Sequence, residues 1–261
     1  MNLLEFAGIQ TEVFILYFLR GAGFLFVAPI FSARAVPVHV KVGIAGFLAY
    51  VFLLINQPSL PASSYELTKF APMAIGELII GLAMGFSVGI IFVCFQFAGR
   101  IFGYQMGFAI VNVLDPHSQE QVSLIGEFLF AVVSLVFLNL NLHHSFLTFF
   151  GRSFEWVPAG GINAAAFTMT GIGDVMTSLF ILSLQIAAPL LAVLFMLDFG
   201  LGIIARVVPQ MNVFLVGIPL KIAGGLFMLS IIVMLLNPVT WKVTERIMLN
   251  TMEVVKSLGS A

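Results

Sequence analysis

The chain has 261 residues, of which 61% are hydrophobic and only 9% carry a formal charge. A soluble domain has about 25% charged residues, and a water-soluble globule of this size needs a charged surface that these residues do not supply. The net charge of −1 provides no basic field for counterion release, so the composition also argues against nucleic-acid binding. We therefore expect an integral membrane protein in contact with membrane lipid.

Six apolar blocks approach the roughly 20 residues that a helix needs to cross a bilayer. In chain order they are Val13 to Phe31, Val42 to Asn56, Ala71 to Ala98, Ile125 to Phe150, Val175 to Ala205 and Val213 to Leu236. Because lipid cannot satisfy open backbone groups, and the alternating pattern of a barrel is missing, these blocks are expected to be helices. The predicted fold is all-α, a single integral unit with some blocks bent, tilted or hairpin-like.

The two ends of the chain differ from these blocks. The first twelve residues contain two glutamates and no lysine or arginine, so a cleavable signal peptide is not expected. The tail from 237 to 261 has apolar residues at helical spacing, with Lys242, Arg246 and Lys256 between them. This pattern predicts an amphipathic helix at the membrane interface.

Glycines recur every four residues in and after the third block. The two consecutive triplets are Gly81, Gly85 and Gly89, then Gly99, Gly103 and Gly107. On a helix this spacing puts all three glycines of a triplet on one face, where a neighbouring backbone can approach closely. We predict tight helix packing there; the alternative is coincidence in a chain with 24 glycines.

The segment from Gly99 to Leu124 mixes glycines, aromatic residues and a polar turn at Asp115-Pro116. It is too polar for lipid and too apolar for a free loop. Irregular chain at membrane depth is tolerated where protein or a channel encloses it. The composition predicts either such a buried or channel-lining stretch, in which flexible methionine and bulky phenylalanine side chains form a seal, or an ordinary connecting loop.

Six ionisable side chains lie within or at the edges of the apolar blocks: Arg20, Glu77, Glu127, Asp198, Arg206 and Lys221. Burying a charge is expensive, so each is expected to have a partner. Lys221 and Asp198 lie in adjacent blocks that form a plausible antiparallel hairpin and pair, unless each reaches water separately.

Two prolines, Pro189 and Pro219, interrupt the last two blocks, and Pro219 should bend or break the sixth block. Broken helices with nearby charges also occur in secondary transporters, where freed backbone groups bind ions or substrate. A secondary transporter for a small solute is therefore a second hypothesis.

The sequence contains no convincing pattern of catalytic residues. Gly171-Ile172-Gly173-Asp174 matches the GxGD string of intramembrane aspartyl proteases, with Asp198 as a conceivable second carboxylate. In one helix these aspartates would lie about 36 Å apart, whereas two catalytic carboxylates must nearly touch. His143-His144 lacks supporting ligands at metal spacing. We predict a protein that is not an enzyme and that uses no cofactor or metal.

The string Arg206-Val207-Val208-Pro209-Gln210-Met211-Asn212-Val213-Phe214, followed by Gly217-Ile218-Pro219-Leu220-Lys221, resembles the FliR family of flagellar export proteins. The motif residues are Pro209, Gln210, Asn212, Phe214 and Pro219. Further matches run in family order over residues 20 to 221: Arg20 with Pro29 and Phe31, Pro37 with Lys41, Gly76-Glu77 with Gly81, Gly103 with Gln105-Met106-Gly107, and Asp115-Pro116.

The resemblance implies a core subunit of the flagellar type III export gate, in the bacterial inner membrane at the flagellar basal body. It implies a hetero-oligomeric channel with FliP and FliQ, cooperation with FlhB and FlhA, and passage of unfolded flagellar proteins. It also implies a FliP-like portion at 1–174 with the channel loop at about 99–124, a FliQ-like helical hairpin at 175–236, and the tail at 237–261.

The family's channel plug corresponds here to Met106 to Val122. The candidate plug residues are Met106, Gly107, Phe108, Ile110, Val113, Leu114, Asp115 and Pro116. The residues after Pro116 are unusually polar, which leaves open which side chains make the seal. A homologue that serves a virulence type III secretion system is a narrower rival to the flagellar interpretation.

Overall fold

The computed structural model describes residues 3–29, 36–55, 67–108, 123–161 and 169–259. Within these ranges the chain forms eight α-helices and no strand, so the all-α prediction is confirmed. The helices are α1 (Leu3–Val27), α2 (Val38–Ile55), α3 (Leu67–Met106), α4 (Leu124–Asn139), α5 (Leu142–Trp156), α6 (Met169–Val207), α7 (Val213–Met234) and α8 (Leu236–Gly259).

Four of the described helices are long and apolar enough to cross a membrane: α2, α3 from Phe70, α6 from Val175, and α7. The helices α4 and α5 give a fifth candidate if they count as one bent span. The fourth predicted block is thus interrupted, and the interruption falls at Asn141, whose φ of 54° lies in the left-handed region. Asparagine tolerates that conformation better than most residues because its short side chain bonds locally.

The prediction of irregular chain from Gly99 onward is wrong for its first eight residues, because α3 continues to Met106. Summed over 40 residues, α3 is about 60 Å long, about twice the thickness of a hydrocarbon core. Glycine lowers helix propensity, but tight packing on both glycine triplets outweighs that preference. Residues 109–122 lie outside the described part of the chain.

Of the predicted bend or break in the sixth block, the break is wrong. The helix α7 runs unbroken from Val213 to Met234 with Pro219 inside it, and α6 likewise contains Pro189. Each proline removes one backbone donor. Neighbouring helices support the remaining turns: Leu201 packs on Gly217, and Leu197 packs on Gly224. Membrane helices tolerate proline under such support.

The chain divides into two compact units. Unit 1 comprises Met1–Ile90, Asn141–Met176 and Thr244–Ala261, and unit 2 comprises Ile91–Leu140 and Thr177–Val243. The core of unit 1 is an aromatic cluster in which the rings of Phe24, Phe52 and Phe154 each contact Phe150. In unit 2 the buried ring of Phe92 contacts Phe130 and Phe137 of α4.

The predicted tail helix exists as α8. Within unit 1 it buries Ile247, Val255 and Leu258 and leaves the charged Arg246 and Lys256 exposed. The ammonium of Lys256 lies 5.6 Å from the ring centroid of Trp156, at the end of α5. The apolar and charged faces of the tail are therefore segregated as the sequence pattern indicates.

Candidate functional site

The end of α3 and the start of α4 lie side by side in unit 2, at the two ends of the predicted plug loop. The hydroxyl of Ser123 donates to the carbonyl oxygen of Gly99 at 3.4 Å and accepts from the backbone N–H of Gly126 at 3.2 Å, which caps α4. We call Gln105, Met106, Gly107, Phe108 and Ser123 the loop base. Whatever path 109–122 takes, the chain leaves and returns at neighbouring points.

Glycines make this close return sterically feasible. A Cβ atom added to Gly99 would lie 2.6 Å from the Cα of Gly126, and one added to Gly126 would lie 3.0 Å from the carbonyl oxygen of Gln96. Backbones of α3 and α4 therefore touch without side chains between them. Gly103 belongs to the same face and would place a Cβ 3.2 Å from the Ser123 hydroxyl. The first two glycines of the second triplet thus pack α3 against α4.

Gly107 ends α3. Its φ of +92° lies in the left-handed region, which glycine adopts without a side-chain clash. The N–H of Gly107 donates to the oxygen of Tyr104 at 3.1 Å, and the N–H of Phe108 donates to that of Gly103 at 3.0 Å. This pair of bonds is a Schellman cap, which satisfies carbonyls that the end of a helix would otherwise leave open.

Met106, a predicted plug residue, is the last residue of α3 and is fully buried. Its side chain occupies a notch over Gly225 of α7, where an added Cβ would lie 2.6 to 2.7 Å from Met106 Cγ, Cε and Sδ. Even an alanine at 225 would displace the methionine. Met106 therefore anchors the loop base to α7.

A polar network joins the loop base to α6 and α7. The amide Nε2 of Gln105 donates to Asp198 Oδ2 at 3.1 Å, and Asp198 Oδ1 forms an ion pair with Lys221. The pairing of Lys221 with Asp198 agrees with the predicted hairpin. Their side chains remain 24% and 35% exposed, so screening limits the free energy of the ion pair.

A second polar cluster is completely buried in unit 1. The guanidinium of Arg20 donates to Glu77 through Nε at 2.5 Å and through Nη2 at 3.0 Å, and both side chains are 0% exposed. It also donates to Ser153 Oγ at 3.0 Å and to the oxygen of Val157 at 2.9 Å. Glu77 Oε1 accepts further from the N–H of Gly160 at 2.9 Å. The cluster joins α1, α3, α5 and the turn after α5.

The first glycine triplet explains how this pair is brought together. Gly81 is one turn after Glu77 and lies against the backbone of Arg20, and Gly85 would place a Cβ 2.5 Å from the oxygen of Phe24. Gly89 reaches Pro29 at van der Waals distance. Because side chains are missing from this ridge, α1 approaches α3 closely enough for the bidentate contact.

Two residues predicted as buried charges are exposed in this chain. Glu127 lies at the surface of α4, where its Oε1 accepts from Gln96 Nε2 at 2.6 Å. Arg206 is exposed at the end of α6. Lys41, which the sequence analysis gave as a family match but not as a buried charge, is buried. Its ammonium lies 5.9 Å from the ring centroid of Phe26.

The family motif forms the turn between α6 and α7. Pro209 and Gln210 lie exposed in that turn, and the side chain of Asn212 caps α7 by accepting from the N–H groups of Phe214 and Leu215. Phe214 is 80% exposed. Pro219 lies within α7. The motif thus specifies a helical hairpin with an apolar tip.

Several residues that the sequence analysis considered belong neither to the loop base nor to the buried polar cluster. The plug candidates Ile110, Val113, Leu114, Asp115 and Pro116 fall outside the described residues. The aspartates Asp174 and Asp198 belong to the single helix α6, which separates them as predicted. Among the described residues no group of three His, Cys, Asp or Glu side chains is placed to hold a metal ion.

The caps at Ser123 and Gly107 were missed by the sequence analysis, although both have a sequence signal. A serine directly before an apolar run with an acidic residue in its first turn is typical of a helix start, and a glycine after the last periodic residue is typical of a helix end. These two residues fix where the loop begins and ends.

Comparisons with known proteins agree over most of the chain. Residues 11–247 match the model of bacterial export proteins, family 1. The chain is 37% identical to the flagellar biosynthetic protein FliR of Bacillus subtilis over 84% of this chain and 85% of that protein. It is 31% identical to FliR of Escherichia coli over 85% and 86%. It is 30% identical to the Yop proteins translocation protein T of Yersinia pestis over 67% of each chain.

Proposed function

The chain belongs to the FliR family of bacterial export proteins, and from this premise we propose that it is a core subunit of the flagellar type III protein export gate. It is a membrane-embedded component of a type III export apparatus. In the proposal it lines and closes a channel for unfolded flagellar proteins. It performs no bond chemistry, and the energy for transport comes from elsewhere in the apparatus.

The observation that carries the gate proposal is the loop base. Its two ends are fixed to each other by the contact of Ser123 with Gly99 and by the glycine contacts of α3 with α4. Met106 and Gln105 then tie the same point to α6 and α7. A segment mounted on such a base can be displaced without separating the helices. We assign the plug to 109–122 on this base.

We further propose that the chain assembles with FliP and FliQ, works with FlhB and FlhA, and resides in the inner membrane at the flagellar basal body. The exposed surface supports assembly. Phe47 on α2, Phe199 on α6 and Phe214 on α7 are 67%, 79% and 80% exposed. Large apolar side chains in such number require cover by lipid or by other subunits.

Two alternatives have less support. The secondary transporter depended on a broken sixth block, but α7 is continuous, and Asp198 and Lys221 pair with each other. A virulence secretion role is favoured by the likeness to the Yersinia protein. The flagellar proteins of Bacillus subtilis and Escherichia coli are more similar and match more of the chain, so we retain the flagellar role as the main proposal.

The test is purification from mild detergent combined with genetic deletion. We expect the tagged chain to carry other small hydrophobic export subunits in one large assembly, and its deletion to abolish motility until the wild-type chain is restored. A lone, stable monomer would favour a transporter. Normal filaments in the deletion strain would contradict the flagellar role.

A further inference from the structure

One side of α4 carries a regular apolar stripe that no described part of the chain covers. Its residues follow 4-3-4-3 spacing along the helix, and we call them the α4 seam: Leu124, Phe128, Ala131, Leu135 and Leu138. All five are exposed, Leu124 and Leu135 by nearly 70%. The opposite side of α4 buries Ile125, Leu129 and Val133 in unit 2.

The 4-3 spacing is the pattern by which one helix packs lengthwise against another. Apolar residues at alternating separations of three and four keep one narrow seam facing a neighbouring helix, and charged residues beside the seam pair across the interface. A surface that only meets lipid has no need of a charge. The α4 seam has one, because Glu127 immediately precedes Phe128 at its edge.

Glu127 is held in place but forms no ion pair with a described residue. Gln96 donates to one of its oxygens at 2.6 Å, and the ion pairs among the described residues do not include it. The neighbouring seam residues are apolar, so a carboxylate there is costly if it faces hydrocarbon. An added positive group that contacts the carboxylate removes that cost.

We infer that the α4 seam receives an apolar helix of another subunit of the export apparatus, and that this helix presents a lysine or arginine to Glu127. The inference rests on the proposed function. Two copies of this chain cannot pair seam to seam, because α4 contains no lysine, arginine or histidine and its own seam offers no cation. Charge complementarity therefore requires a cation from a helix other than α4, and the other subunits of the proposed assembly supply such helices.

The first experiment changes the charge. Glu127→Lys is expected to lower recovery of the assembled complex about tenfold, because it sets two positive groups against each other in a desolvated contact. Glu127→Gln keeps an acceptor for Gln96 and is expected to lower recovery about threefold, since only the charge pair is lost. Glu245→Lys and Glu245→Gln are matched controls at another exposed carboxylate and should assemble like the wild type.

The second experiment identifies the occupant. A photoreactive residue at Leu135 should form an adduct with one helix of another subunit, and Glu127→Lys should be rescued when the cation in that helix is changed to glutamate. If Glu127→Lys does not accumulate in membranes, Glu127→Gln decides the matter, because its shape is nearly that of the wild type. Wild-type recovery of both Glu127 variants, or adducts with lipid or a second copy alone, would overturn the inference.

These outcomes separate the seam from the wider function. If the wild-type chain brings down no export subunit, the proposed function fails. If the wild-type chain and the Glu127 variants co-purify with export subunits equally well, the inference about the α4 seam is wrong and the proposed function stands.

Discussion

Replacing one member of the buried Arg20–Glu77 pair should destabilise the chain strongly. In Glu77→Met the guanidinium of Arg20 stays at 0% exposure and loses two charge-assisted hydrogen bonds. An uncompensated buried charge of this kind costs about 3–5 kcal/mol, and the N–H of Gly160 loses its acceptor as well. Since a whole domain is stable by about 5–15 kcal/mol, this single change removes a large share.

The double variant separates the pair from its surroundings. Arg20→Met alone leaves Glu77 as the buried charge, with Gly160 as its remaining described donor. Combining Arg20→Met with Glu77→Met removes both charges, so its cost should fall below the sum of the two single costs by about 2 kcal/mol or more. Exposed Glu245→Met is the control and should change stability by less than about 0.5 kcal/mol.

The assay is unfolding of the purified chain in mild detergent, with the amount of chain in membranes as a second readout. The free energy of unfolding is compared among wild type, the two single variants and the double variant. Two results would refute the reasoning: a Glu77→Met chain as stable as the Glu245→Met control, or a double variant whose cost equals the sum of the singles.

Two glycine substitutions should have effects that the local geometry distinguishes. Gly81→Ala puts a Cβ into the backbone of Arg20 and should separate α1 from α3, with a loss of about 2 kcal/mol or more of stability. Gly46→Ala on α2 meets no described atom within 4 Å and should be neutral or stabilising by up to about 1 kcal/mol. Equal changes in melting temperature for the two variants would contradict the packing account. Gly107→Ala forces an alanine into the left-handed conformation and should cost about 1–2 kcal/mol of stability. The loss should appear as a lower melting temperature and faster proteolysis at the loop base. Unchanged proteolysis would argue against the Schellman cap.

The sequence predicts features that depend on local pattern and misses those that depend on distant contacts. Lys221 and Asp198 were paired correctly because adjacent apolar blocks form a hairpin. Arg20 and Glu77 were each singled out as costly charges, but nothing local links residues 57 positions apart. The close approach of α1 to the first glycine triplet, which makes the pair, is a tertiary contact.

The loop region shows the same division. The third apolar block was predicted to end at Ala98, because the segment from Gly99 onward is too polar for lipid; glycine also has a low helix propensity. In the structure Gly99 and Gly103 are held helical by contact with α4 and Ser123, and only Gly107 ends the helix. Propensity alone does not distinguish a packing glycine from a terminating one, since the difference lies in what faces each residue.

The measurement that tests the account most directly is the permeability of membranes whose plug segment has been replaced. Residues 110–121 would be exchanged for a flexible linker of equal length, which leaves Gly107, Phe108 and Ser123 to form the loop base. The control carries the same linker in place of residues 162–168, away from the loop base in the sequence.

We predict that the replaced chain assembles at the wild-type level and makes the membrane leaky to small solutes, while the control stays tight. An assembly that forms normally and remains as impermeable as the wild type would contradict the claim that this segment closes the gate.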